Sequence, residues 1–233
     1  MASTTPSTRT RPLPGGTRRR TGWLAPAGLL LLAIVPVAAG ALRLTELASG
    51  PAVTPENARF VTMPLPVVVH IVAVTVYAVL GAFQFSPGLR RRHRAWHRAA
   101  GTVLVPAGLA TALSGLWMTA FYDLPAKDTL AVNATRYVVG AVMTVSLILA
   151  VRALMRHDYR AHGAWMTRAY ALAMGAGTQA VVLGTWLVVA RPSVESDESI
   201  QVSSVLMIVS WVLNALVAEW VIHRRRRPAR VRR

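Results

Sequence analysis

Apolar residues fall along this chain in six blocks, at approximately 23–42, 66–86, 99–119, 132–152, 169–190 and 202–222, and short segments holding most of the charge separate them. Each block is about 20 residues long, which at about 1.5 Å per residue crosses a hydrocarbon core of roughly 30 Å. Within a bilayer only helices and closed barrels satisfy their own backbone hydrogen bonds. None of the blocks alternates apolar with polar positions as a barrel strand does, so the pattern predicts six transmembrane helices.

The polar positions inside the blocks are arranged by helical phase. At 100° per residue His70, Tyr77, Gly81 and Gln84 share one face of the second block, as do Arg168, Gly175 and Gln179 around the fifth and Ser203, Ser210 and Asn214 in the sixth. Polar groups in a span are costly in lipid and turn toward the bundle interior, where interhelical hydrogen bonding is their default role. Small residues follow the same logic. Gly101, Gly108, Ala112, Gly115 and Thr119 line one face of the third block, and Ala173, Gly177 and Gly184 recur in the fifth, so close helix packing is expected along both stripes. Arg136 and Glu219, near opposite span ends, are expected to snorkel, Glu219 toward His223 one turn on.

Charge then orients the bundle. Arginines precede the first block, fill the segments at 90–98 and 152–168 and follow the sixth, placing 21 of the 26 basic residues on one side. The other side carries seven of the nine acidic residues. This bias predicts cytoplasmic N- and C-termini and a bacterial cytoplasmic membrane location. It also accounts for the net charge of +17 without nucleic acid as a partner, because the charge is dispersed over four segments. Residues 1–21 read as a basic, unstructured arm, 22–223 as the membrane domain with its first span retained, and 224–233 as a basic tail suited to anionic lipid headgroups. The absence of cysteine excludes disulfides, thiolate metal sites and cysteine nucleophiles.

Candidate chemistry concentrates in the two basic segments, which hold four of the six histidines. His93 and His97 have the one-turn spacing of two metal ligands, but five arginines within six residues oppose a free divalent cation. A haem b reverses that argument: neutral histidines ligate its iron and its propionates require basic partners. His97 and His162, each just before a predicted span, are the candidate iron ligands, with Arg98, Arg160 and Arg168 near the propionates. The same helix ends suit a phosphate, a lipid headgroup or an anionic quinol. His70 lies inside the far end of the second block, where an ionisable side chain is a functional hypothesis by default; a quinol-proton acceptor and an outer haem ligand both fit.

Taken together, His70, Gly81, Gln84-Phe85, Leu89-Arg90-Arg91, His97-Arg98-Ala99-Ala100-Gly101 and the stretch from His162 to Leu172 resemble the predicted bacterial membrane proteins grouped as DUF2306, over residues of about 60–190. The chain departs from the usual pattern at Thr102-Val103, Gly163 and Gln179. The resemblance implies a fold and candidate positions but no reaction. A more distant likeness, carried by His97 and Gly101, is to b561-type cytochrome bundles. The expectation is an all-α, six-transmembrane-helix bundle with a core formed by the second to fifth helices, and a membrane redox role with haem or a quinol as ligand. The competing expectations are a non-redox carrier or binder of a small anionic or amphipathic solute along His70, Gln84, Gln179 and Asn214, and a scaffold or assembly factor.

Overall fold

A computed structural model describes residues 22–125, 128–193 and 196–226. The described residues are predominantly helical and contain no strand. The order is α1 (Leu24–Ala48), α2 (Ala58–Val61), α3 (Pro64–Gln84), α4 (Pro87–Arg92), α5 (Arg94–Phe121), α6 (Leu130–Met155), α7 (Tyr159–Ala173), α8 (Gly175–Ala190) and α9 (Asp197–Arg226). Six helices, with α7 and α8 counted as one span, are long and apolar enough to cross a membrane. Their outer surface is apolar as well, with Leu31, Val72, Val142, Ile148 and Leu216 all exposed, as lipid contact requires and water would not favour.

Two hairpins form the centre. Helix α3 turns through α4 into α5, α6 turns into α7, and α5 packs on α6 between them. The expected four-helix core is therefore present, closed around Tyr77, Leu104, Ala112, Met143, Leu147 and Tyr170. Helix α1 lies outside, against α3 and α8, and buries only Pro26 and Ala33. Helix α9 covers α7 and α8.

Both hairpin turns lie at the arginine-rich end, and both are more helical than the sequence pattern suggested. Pro87 at the first turn of α4 has no N–H to leave unsatisfied, and the Ser86 hydroxyl accepts the Leu89 N–H at 3.4 Å. His93 breaks the chain between α4 and α5. At the other turn α6 closes with the Asp158 N–H on the Ala153 carbonyl and the His157 N–H on the Leu154 carbonyl. His157 takes the left-handed conformation (φ 59°) that this closure requires. Asp158 then caps α7 by accepting the Ala161 N–H at 2.9 Å. His97, His162 and Arg168 consequently stand on helices.

The fifth span is interrupted at Met174, a break the apolar pattern did not reveal. Gly175 there packs against the Trp211 indole, and Gly177 lies against the Leu32 backbone carbonyl of α1. The small-residue stripes are used selectively. Gly108 meets the Tyr77 ring and Gly115 the His70 ring, whereas a methyl group on Gly101 or Gly184 would meet nothing within 4 Å. At the chain's end α9 continues to Arg226, so the first arginines of the expected tail are helical; the expected N-terminal arm and the remainder of the tail lie outside the described residues.

Candidate functional site

The arrangement of α3, α5, α6, α7, α8 and α9 leaves a cavity of about 370 Å³ in the half of the bundle opposite the arginine-rich turns. Its walls are largely carbon, from Val74, Ala112, Leu116, Met143, Leu172 and Met207. The short α2 and the loop after α5 cover its mouth with Phe60, Tyr122 and Leu124, which pack together at the end of the bundle. Tyr122 is fixed there by donating its hydroxyl to the Met63 carbonyl at 2.7 Å.

His70 is the histidine of this cavity. Its Nδ1 lies 3.0 Å from the Ser114 hydroxyl. Ser114 gives its one proton to the Ala110 carbonyl, so its oxygen accepts and the ring proton sits on Nδ1. Nε2, which makes no hydrogen bond, carries the lone pair.

The other polar groups on the wall are set in the same sense. The Thr111 hydroxyl donates to the Ala107 carbonyl at 2.8 Å and the Thr119 hydroxyl to the Gly115 carbonyl at 2.8 Å. Gln179 gives its amide N–H to the Met207 carbonyl at 3.2 Å. The two threonine hydroxyls have spent their single protons on backbone carbonyls and keep acceptor oxygen, whereas Gln179 keeps its amide oxygen and a second N–H.

Arg136, expected to snorkel, instead donates two bonds to Asp128, at 2.8 and 3.1 Å, and a third to the Asn133 side-chain oxygen at 2.8 Å. Both partners are largely buried, and a guanidinium that cannot reach bulk water takes the nearest carboxylate. Arg59, at the mouth, donates to the Asp123 carbonyl at 3.4 Å and stacks on Phe60.

The residues singled out at the basic end are distributed differently. His97 and His162 stand on the first turns of α5 and α7, at the same end of the bundle. His162 donates its Nδ1 proton to the Ala150 carbonyl at 3.0 Å, which leaves Nε2 as an acceptor. The His97 Nδ1 is buried and has no hydrogen-bond partner. Both amide atoms of Gln84 are in the same condition. Arg98 and Arg160 are exposed. Arg168 stacks on Trp165 and closes a bidentate ion pair with Glu219, at 2.5 and 3.0 Å, so Glu219 reaches α7 and not only its own helix. Its contact with His223 is a looser 3.9 Å. Among the described residues no three histidine or acidic side chains gather as a metal site.

Sequence reasoning placed His70 and Gln179 on inward faces, where they are, but it missed Thr111, Trp211 and the Asp128–Arg136 pair. Asp128 directly precedes Thr129, the residue that caps α6, and a carboxylate before an N-cap with an arginine two turns on was the available signal.

A bundle of six membrane-crossing helices with a carbon-walled cavity in one half defines a polytopic integral membrane protein. The chain belongs to the DUF2306 family of predicted membrane proteins, whose sequence profile matches residues 67–222. That match extends past the resemblance seen in the sequence and takes in α9, which forms part of the cavity wall. No curated protein and no solved structure matches the chain.

Proposed function

We propose that this protein binds a hydroxylated ring lipid of the quinol class in the cavity, with His70 accepting the hydrogen bond of a ring hydroxyl at Nε2, as part of a membrane redox role. The carrying observation is the polarity of the wall: His70, Thr111 and Thr119 offer acceptors within a largely apolar space. A ligand complementary to such a wall is apolar in body and brings donors, as a hydroquinone ring does. A quinone brings acceptors only and leaves the wall's acceptors unpaired. An anionic solute is disfavoured for the same reason, since Arg136 is already committed to Asp128.

The test is equilibrium binding of decylubiquinol to purified protein in nanodiscs. One hydrogen bond contributes about 1 to 1.5 kcal/mol, so decylubiquinol is expected to bind roughly tenfold tighter than decylubiquinone, and His70→Ala to remove that difference. Equal affinity for both forms in the wild type contradicts the reading.

A haem b between His97 and His162 is the second reading, favoured by their matching positions on the first turns of α5 and α7 and by the fixed Nδ1 proton of His162. Arg168, the expected propionate partner, is held by Glu219 and so adds little to it. A Soret band lost in both His97→Ala and His162→Ala supports it, and protein expressed with haem supply but colourless removes it.

A further inference from the structure

We infer that Trp211 is the residue that reads the far end of the ligand's ring, donating its indole N–H to a second ring oxygen opposite the one bound by His70, so that the cavity selects rings hydroxylated at two opposite positions. This rests on the quinol reading and narrows the substrate class of the same site, against rings that carry a single hydroxyl.

Six of the seven tryptophans, Trp23, Trp96, Trp117, Trp165, Trp186 and Trp220, lie near the ends of spans. There the indole N–H meets water and headgroups, the usual place for tryptophan in a membrane protein. Trp211 stands instead in the middle of α9. At that depth an indole N–H has to find its acceptor inside the protein, yet it donates to no described residue. Its ring faces inward. The Nε1–Cδ1 edge rests on Gly175, a buried glycine of α8 whose missing side chain leaves the room for it. The nitrogen is also not one of the unpartnered polar atoms sealed inside the protein. Trp211 lines the cavity, so the space its N–H reaches is the cavity.

Two hydrogen bonds bracket this contact and fix α8 on α9. Gln179 donates to the Met207 carbonyl at 3.2 Å, and Thr178 donates to the Asn214 side-chain oxygen at 2.9 Å. Gln179 is one turn past Gly175 and Met207 one turn before Trp211, which sets the Gln179 amide beside the indole. Around the cavity the helices follow one another as α1, α3, α5, α6, α9 and α8, each packed on the next and α8 returning to α1. In that ring α3 and α9 are opposite. His70 and Trp211 therefore meet a ligand from opposite walls, one offering a lone pair and the other a proton. A ring held at both ends gives a proton to His70 from one oxygen and accepts at the other. Hydroxyls at two opposite ring positions do both, and the Gln179 amide oxygen is at hand for the second hydroxyl's own proton.

Equilibrium binding of 2-nonylhydroquinone and 3-nonylphenol to the full chain in nanodiscs tests the inference, because the two probes share ring and tail and differ by one hydroxyl. The wild type is expected to bind the hydroquinone about tenfold tighter, as one added hydrogen bond implies. In Trp211→Phe that preference is expected to fall to about twofold or less, with 3-nonylphenol within about threefold of its wild-type affinity. A wild type without the preference overturns the inference. So does a preference that survives in Trp211→Phe, or a variant that loses affinity for both probes alike, as a merely structural role predicts. His70→Ala separates this claim from the one it rests on: unchanged affinity for both probes in that variant contradicts the role of His70, whereas the ratio in Trp211→Phe reads Trp211. A second measurement needs no variant. In protein labelled with nitrogen-15 at the indole, one of the seven tryptophan N–H signals is expected to move downfield with 2-nonylhydroquinone and far less with 3-nonylphenol. Seven signals that ignore the hydroquinone overturn the inference.

Discussion

At the scale of single residues the cavity depends on where protons are already committed. Thr111 and Thr119 each satisfy a helix carbonyl with their only proton, and the consequence is acceptor oxygen on the cavity wall that His70 shares. Arg136 and Asp128 cancel each other's charge at the cavity's edge. Removing one partner leaves a largely buried ion uncompensated. Arg136→Met is expected to destabilise the protein by about 1 to 3 kcal/mol, read as a lower Tm in detergent, and Arg136→Met with Asp128→Leu to recover much of that loss. A double variant as unstable as the single one would show that the pair is not the reason.

At the scale of elements, two glycine stripes that look alike in sequence behave differently. Gly177 of α8 lies against the Leu32 carbonyl of α1, and Gly101 of α5 faces open space. Gly177→Val is expected to cost about 1 to 3 kcal/mol through forced separation of α1 from α8. Gly101→Ala, which relieves the backbone entropy of a helical glycine, is expected to stabilise by about 0.5 to 1 kcal/mol. Thermal unfolding of both variants side by side checks the assignment, and the reverse order would refute it.

The same contrast shows what the sequence could and could not convey. Length and hydropathy dictate that helices exist, and helical phase places His70, Tyr77 and Gln84 on one inward face. Neither says which helix arrives at a given glycine. The break at Met174 leaves no mark in the apolar pattern, because a span can be interrupted by one residue and remain uniformly hydrophobic. The partner of Arg168 was equally hidden, since an ion pair between residues 51 positions apart, as for Arg168 and Glu219, depends on the tertiary arrangement.

At the scale of the whole molecule the two ends differ in character. One carries both hairpin turns and most of the arginines, with His97 and His162 on the first turns of α5 and α7; the other carries the cavity, its cover and most of the acidic residues. The charge bias predicts that the basic end faces the cytoplasm. Because the chain contains no cysteine, single cysteines at Arg160 and at Asp123 can report this in intact cells. A membrane-impermeant maleimide is expected to label the second and spare the first, and the opposite pattern would invert the orientation. That orientation would turn the cavity's end away from the cytoplasm.

The central claim is that the His70 Nε2 accepts a hydrogen bond from a ring hydroxyl in the cavity. Nitrogen-15 NMR of histidine-labelled protein in nanodiscs reads that atom directly, with His70→Gln identifying its signal among the six histidines. Addition of decylubiquinol is predicted to move the Nε2 resonance from its unprotonated position toward the protonated range, and decylubiquinone, which has no donor, to move it far less. An Nε2 resonance that ignores both ligands, or responds equally to both, would contradict the account.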